Sequence, residues 1–442
     1  MGIFKAYDIR GIYPDELNEA MAQKIGWAFT KFFGAKTIAV GYDMRQAAPS
    51  IFDALAKGIN SAGVDVVSIG QVSTPMISFV VGHFGYDAGI MITASHNPKE
   101  YIGFKVCDKN VVPIGYDHGL DTIEQMVEEF AGPEKVSQGD VIAKDIWDEY
   151  VCHVHDQVDT SCLKPLKVVV DAGNGMGGVV FEKVFAGLPL TVDKLYFEPD
   201  GTFPNHEPNP LKSENMKDLQ KRVIETKSDI GFAFDGDADR VMFVDESGQL
   251  ISSDMVTILI GKYLLEQYPG SKILYDLRSS RAVKEEIEKL GGQTSMCRVG
   301  HAFIKRQLRK ENGLFAGELS GHYYFKSNFY ADSGMMAALY VLAALSKEDQ
   351  PLSELIQPYK RYYASGEINS EVRNADQKIR EIESLFSDGD QDHLDGLTVN
   401  YSRWWFNVRK SNTEPVLRLN LEADDTNLGE EKLEKLMKVI RG

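Results

Sequence analysis

Lys167-Val168-Val169-Val170-Asp171-Ala172-Gly173 joins a basic residue, an apolar run, an aspartate and a turn, and the same opening recurs at residues 36–45 and 272–280. The aspartates that end the three runs are Asp43, Asp171 and Asp276. Each opening is followed by a helix-length stretch, a glycine (Gly63, Gly187, Gly291) and a second β-rich run, clear at residues 64–69 and 191–197 and weak in the third copy. Each copy then reaches another short apolar run that stops at polar residues: Gly89-Ile90-Met91-Ile92-Thr93, Gly231-Phe232-Ala233-Phe234-Asp235 and Leu314-Phe315-Ala316-Gly317-Glu318. One α/β unit is therefore written three times. Short apolar runs alternating with helical patterns predict sheets covered by helices on both faces. Ligands of open α/β sheets gather beyond the carboxyl ends of the strands, which is where all three polar clusters fall.

The pattern stops near Tyr362. Residues 367–442 are charge-rich and end in an amphipathic helix over 428–440, with Leu433, Leu436, Met437 and Ile440 on one face. An apolar strand at 404–408 runs straight into a polar loop at Arg409. The predicted division is three related α/β domains, 1–146, 147–248 and 249–361, and a smaller α+β domain, 362–442.

Composition narrows the function. The chain of 442 residues carries 48 Lys+Arg against 65 Asp+Glu, a formal charge of −17. That balance argues against a partner that is nucleic acid or an anionic membrane, since both demand a basic face. The longest uninterrupted apolar run, residues 335–345, has eleven members, against the roughly 20 needed to span a bilayer. A cytoplasmic location is expected, with no signal-peptide core or myristoylation serine near the start. The cysteines Cys107, Cys152, Cys162 and Cys297 form no C-x-x-C pair and are expected to be reduced and structural.

The polar clusters are the candidate chemistry. Thr93-Ala94-Ser95-His96-Asn97-Pro98 sets a serine after a buried strand; it suits either an ordinary strand-to-turn junction or a nucleophile or phosphate carrier, with His96 and Lys105 supplying hydrogen bonds and positive charge. No G-x-S-x-G elbow surrounds Ser95, which disfavours an esterase. Asp235-Gly236-Asp237-Ala238-Asp239-Arg240 places carboxylates at alternate positions between two apolar strands. Adjacent carboxylates raise one another's pKa unless a cation neutralises them, and an all-carboxylate set points to a hard ion such as Mg²⁺ or Ca²⁺. An EF-hand is excluded, because Arg240 stands where that loop needs glycine and the flanks are strands. A phosphatase with Asp235 as nucleophile is a rival reading. Gly317-Glu318-Leu319-Ser320-Gly321-His322 offers hydrogen-bonding groups of the kind that read glycans, and His322 is a candidate acid/base. Arg409-Lys410-Ser411-Asn412-Thr413-Glu414-Pro415 has the composition of an anion nest. Gly173-Asn174-Gly175-Met176-Gly177-Gly178 matches the dinucleotide-binding G-x-G-x-x-G pattern. Asp171 and Ala172 separate it from the strand, however, and the equivalent openings lack the glycines, so a tight turn into a helix is expected.

Taken in order, T-A-S-H-N-P, D-G-D-A-D-R, G-E-L-S-G-H and R-K-S-N-T-E-P resemble the loops of the α-D-phosphohexomutase family, and within it the phosphomannomutase/phosphoglucomutase branch. The resemblance spans essentially the whole chain, including Ala6-Tyr7-Asp8-Ile9-Arg10-Gly11. It implies four domains around a central cleft and reversible interconversion of hexose 1-phosphates and 6-phosphates, mannose first and glucose second. It also implies that Ser95 is held as phosphoserine, that a hexose 1,6-bisphosphate reorients in the cleft and serves as activator, and that one Mg²⁺ per chain is bound by Ser95, Asp235, Asp237 and Asp239. Arg240 and Lys105 would flank the transferring group and His322 would act as acid/base. Tyr7, Arg10, His96 and His301 would line the cleft, Glu318 and Ser320 would hold sugar hydroxyls, and Arg409, Ser411, Asn412 and Thr413 would clamp the non-reacting phosphate. A monomer or weak dimer acting on small-molecule hexose phosphates is expected. Ala238, Leu319 and Arg278 stand where glycine, methionine and lysine are common in the family. Arginine does not titrate in proteins, so Arg278 is a doubtful proton-handling group. An anionic substrate further requires Arg10, Lys105, Arg240, Arg278 and Arg409 to make a positive cleft in an acidic protein.

Overall fold

The computed structural model describes residues 2–132, 138–410 and 416–442. Its first three sheets share one core topology. In the first, Asp65–Gln71, Thr37–Tyr42 and Ala88–Ile92 lie parallel and Tyr101–Asp108 closes antiparallel on the last of them. The second repeats this with Leu190–Leu195, Leu166–Asp171, Ile230–Phe234 and Val241–Asp245. The third repeats it with Gln293–Cys297, Lys272–Asp276, Phe315–Gly317 and Tyr323–Phe325. The weak β run of the third copy is thus a real strand. It reads weakly because it is an edge strand whose side chains are mostly solvated.

The repeat extends to the loops. Asp43, Asp171 and Asp276 each accept, through Oδ1, the backbone N–H two residues on, at 2.9, 2.8 and 2.8 Å. These Asx turns end the first strand of each unit. Crossover helices follow at Ala48–Ser61 and Thr74–Phe84, Gly177–Val184 and Lys217–Thr226, and Arg281–Lys289 and His301–Lys310. The glycine-rich stretch at 173–178 is a turn into a helix, as expected. Gly173 adopts φ +54, and a Cβ on Gly175 would stand 2.6 Å from the carbonyl oxygen of Gly236. These glycines admit the aspartate loop, not a nucleotide.

The eleven-residue apolar run lies inside helix Gly334–Lys347, which is buried almost throughout. It belongs to one apolar core shared with Phe79 of the first unit and Phe232 of the second, which fixes the three sheets against each other. Among the described residues no helix is long and apolar enough to cross a membrane.

The last sheet is antiparallel, built around Trp404–Lys410 and Val416–Ala423. Helices Ala375–Leu385 and Thr426–Arg441 cover it, packing Ile382, Phe386, Leu436 and Ile440 against Phe406 and Leu419. Leu433 and Met437 sit at the margin of that core. All four cysteines are free. Cys107 and Cys297 are buried, but Cys152 is exposed, so packing does not account for it and the expectation of four structural cysteines is corrected there.

Candidate active site

Strand Ala88–Ile92 delivers Ser95 to the centre of the molecule in a left-handed conformation, φ +50, with 1% of its surface exposed. Thr93 Oγ1 accepts the Ser95 N–H at 2.8 Å. The hydroxyl donates to Asp235 Oδ2 at 2.8 Å, and His96 Nδ1 lies 3.2 Å from Oγ. Burial, with Arg240, Arg10 and Lys105 near, holds the His96 imidazole well below its usual range, so it is neutral. Beneath the loop runs Arg45, which sequence reasoning did not single out. It donates to the carbonyl oxygens of Ser95 at 2.8 Å, Asn97 at 2.7 Å, Pro98 at 2.8 Å and Tyr101 at 2.9 Å.

The three aspartates meet this serine. Their ligand oxygens lie within 4.8 Å of one another and all three residues are buried. Lys105 Nζ bridges Asp237 Oδ2 at 2.7 Å and Asp239 Oδ2 at 2.5 Å. Thr74 donates to Asp237 through both its N–H and its hydroxyl. Asp237 Oδ1 is buried with no hydrogen-bond partner. Burial together with Asp239 and Asp237 pushes the Asp235 carboxyl well above its ordinary value. Burial pushes Asp239 the same way, but Lys105, His322 and Arg240 outweigh it and hold Asp239 well below. A buried, all-oxygen set of three adjacent carboxylates with an unsatisfied oxygen fits a hard divalent cation.

The third cluster docks on the second. Arg240 and His322 form a single antiparallel bridge, and Val241 N–H donates to the Gly321 carbonyl oxygen at 3.0 Å. His322 Nε2 lies 3.3 Å from Asp239 Oδ1, and Nδ1 lies 2.8 Å from Ser320 Oγ and 3.2 Å from Glu318 Oε2. Burial lowers its pKa, but Asp239 and Glu318 prevail and it is pushed up to about 9. Tyr324 donates to Glu318 Oε2 at 2.6 Å. Arg240 Nε stands 3.7 Å from Asp235.

The remaining predicted residues distribute around this centre. Arg10 pairs with Asp8 at 2.7 Å and donates to Asn97 Oδ1 and the Ala94 carbonyl oxygen. Tyr7 meets the His301 ring edge-on at 5.6 Å. Burial, with Lys305, Lys105 and His322 near, holds the His301 imidazole well below its usual range. Arg409 is the penultimate residue of the last domain's strand Trp404–Lys410 and pairs with Glu367 at 2.5 Å. Ser411, Asn412 and Thr413 lie outside the described residues.

The cations expected to make the cleft positive are all paired. Each of its cations already holds carboxylates: Arg10 on Asp8, Lys105 on Asp237 and Asp239, Arg240 on Asp235, Arg278 on Asp276 at 2.8 Å, and Arg409 on Glu367. Burying an unpaired charge is prohibitive, which is why each of these cations meets a carboxylate. Sequence reading missed Arg45, Thr74, Tyr324 and Glu367. For Arg45 a signal existed, because Asp43-Met44-Arg45 repeats as Asp276-Leu277-Arg278 in the third opening.

Comparisons with known proteins agree over the whole length. Family models described as phosphoglucomutase/phosphomannomutase match in order: alpha/beta/alpha domain I at residues 1–131, domain II at 148–248, domain III at 252–362 and the C-terminal domain at 367–439. A phosphomannomutase of Salmonella montevideo is 40% identical over 448 residues, covering 99% of this chain and 98% of that protein. A protein of Xanthomonas campestris described as phosphohexose mutases is 38% identical, covering 99% of both. A solved structure of a phosphoglucomutase/phosphomannomutase family protein from Burkholderia thailandensis superposes with a TM-score of 0.90 at 32% identity, covering 99% of this chain and 97% of that one.

Proposed function

Because the chain belongs to the phosphoglucomutase/phosphomannomutase family and is an enzyme of hexose-phosphate mutase type, an isomerase, we propose that Ser95 is its phosphoryl carrier. The observation that carries this reading is the Ser95 hydroxyl 2.8 Å from Asp235, inside the cluster of three buried aspartates. Ser95 as phosphoserine donates its phosphoryl group to the free hydroxyl of a hexose monophosphate, the resulting hexose 1,6-bisphosphate turns over, and the other phosphate returns to Ser95. Asp235, Asp237 and Asp239, together with Ser95, would hold Mg²⁺, which would supply charge neutralisation on the transferring group.

The chain's own groups do the rest. Arg45 fixes the Ser95 backbone. Lys105 and Arg240 lie beside the aspartates, where they stabilise negative charge developing on the phosphoryl oxygens. His322, whose imidazole Asp239 and Glu318 push up to about 9 against burial and Arg240, is the acid/base that handles the sugar hydroxyl proton. Glu318 and Ser320 hold ring hydroxyls, with Tyr7, Arg10, His96 and His301 lining the cleft. Arg409, together with Ser411, Asn412 and Thr413, clamps the non-reacting phosphate. The working units are residues 1–146, 147–248, 249–361 and 362–442, one loop from each facing the cleft. Mannose phosphates are the preferred substrates and glucose phosphates the second.

Phosphorus NMR of the full chain with Mg²⁺, a trace of hexose 1,6-bisphosphate and mannose 1-phosphate tests the proposal, with glucose 1-phosphate in parallel. Conversion to the 6-phosphate without free phosphate is expected. Release of inorganic phosphate would move the nucleophile to Asp235 and make the enzyme a phosphatase.

A further inference from the structure

One carboxylate in the last domain holds arginines from two domains. Glu367 follows the turn at Gly366 and accepts Arg409 at 2.5 Å, Arg418 at 3.3 Å and Arg278 at 3.4 Å. Arg409 and Arg418 face each other across the register of strands Trp404–Lys410 and Val416–Ala423. Arg278 comes from the first loop of the third unit, where Asp276 already takes its Nε and one terminal nitrogen at 3.1 and 2.8 Å. The Arg409 side chain is only 4% exposed, whereas Glu367 is 26% exposed. Among the described residues Glu367 is the one carboxylate within 4.0 Å of Arg409. Burial opposes the charge on Glu367, but Arg409, Arg278 and Arg418 keep its carboxyl below its ordinary range.

We propose that Glu367 is a resident competitor for the phosphate clamp, a positioning residue that the substrate's non-reacting phosphate must displace from Arg409. This inference rests on the clamp reading of Arg409 given above. A carboxylate is a monoanion with two oxygens, while a phosphate monoester near neutral pH is close to a dianion with three acceptor oxygens. The exchange therefore favours phosphate over carboxylates and other weak anions, which makes Glu367 a determinant of anion selectivity. It also bears on turnover. A bisphosphate that must turn around has to leave the clamp between the two transfers. A carboxylate poised to take the guanidinium back lowers the cost of leaving, since the arginine is never buried without a partner.

The sign of one substitution separates this role from a structural one. Were Glu367 merely ordering the arginines, Glu367→Gln would scatter them and weaken phosphate binding. As a competitor its removal strengthens binding. Isothermal titration of the full chain in Mg²⁺ with inorganic phosphate, and separately with mannose 6-phosphate, is expected to show Glu367→Gln binding each about tenfold more tightly than wild type, with KM and kcat both lowered. Glu367→Asp, which keeps the charge, is expected to bind close to wild type, and both variants are checked for a cooperative melt. Wild type that binds, with Glu367→Gln binding no tighter or more weakly, overturns the inference alone. Wild type that binds neither probe overturns the clamp reading together with it.

Discussion

The guanidinium of Arg45 lies 2.8 Å from the carbonyl oxygen of Ser95, and it holds three further carbonyls of the same loop. Arg45 is one of the largest fully buried side chains of the protein, with Nε facing Asp43 at 3.4 Å. A side-chain donor set of this kind on backbone carbonyls explains how a non-glycine residue persists at φ +50 beside the aspartates, because the surroundings over-determine the strained conformation.

Arg45→Lys should therefore lower kcat by about 100-fold, the effect of a displacement near 1 Å at a reacting group, while leaving KM within about threefold of wild type. Lysine keeps the charge opposite Asp43 but cannot reach four carbonyls from one nitrogen. Alanine is the poorer probe, since stranding a buried Asp43 would cost about 3–5 kcal/mol. Steady-state kinetics alongside a thermal melt check this, and a folded variant with unchanged kcat contradicts it.

Thr74 offers a second test through the metal. Its hydroxyl donates to Asp237 Oδ2, and its N–H holds the Asp237 carbonyl oxygen at 3.0 Å. Thr74→Val removes the first contact and keeps the second. Outer hydrogen bonds to ligating carboxylates typically govern metal affinity by 10–100-fold, so Mg²⁺ dependence of activity and direct Mg²⁺ titration should both shift to about 10-fold higher concentration. An unshifted titration would separate Asp237 from the metal.

Under the proposed clamp role of Arg409, Arg409→Ala should raise KM by about 100-fold and slow transfer far less. Initial-rate measurements over a range of mannose 1-phosphate check this, and a variant with unchanged KM counts against the clamp.

Much of this was legible in the chain before the coordinates. The repeated opening at Asp43, Asp171 and Asp276 carried the three sheets, because an apolar run closed by an Asx turn is a local signature. The serine and aspartate loops were legible for the same reason, their residues being adjacent in sequence. Arg45 was legible only as half of the Asp-x-Arg shared by the first and third openings, because its partners lie 50 to 56 positions away and are carbonyl oxygens, which no side-chain pattern reports. Glu367 and Arg409 are 42 positions apart in a charge-rich segment, where pairing has no periodic signal. That each cation of the cleft carries a carboxylate partner follows from burial, which residue type alone does not report.

His206 provides a test of the second unit that is independent of catalysis. Its Nε2 lies 3.0 Å from Asp171 Oδ2 and its Nδ1 lies 2.8 Å from the Glu207 carbonyl oxygen. Both ring nitrogens thus face acceptors, and only the imidazolium donates to both. Burial opposes that charge, but Asp171 and the Glu207 carbonyl prevail and raise the pKa above its ordinary value of about 6.5. A raised folded pKa means stability that is fully present below the unfolded value and is lost as pH rises through the folded one. His206→Gln should therefore lower the melting temperature most near pH 5.5, and the gap from wild type should narrow by pH 8.5. Thermal unfolding across that range decides it, since a gap that is constant or widens with rising pH would mean that His206 is neutral in the folded chain and that one of its two acceptors is not engaged.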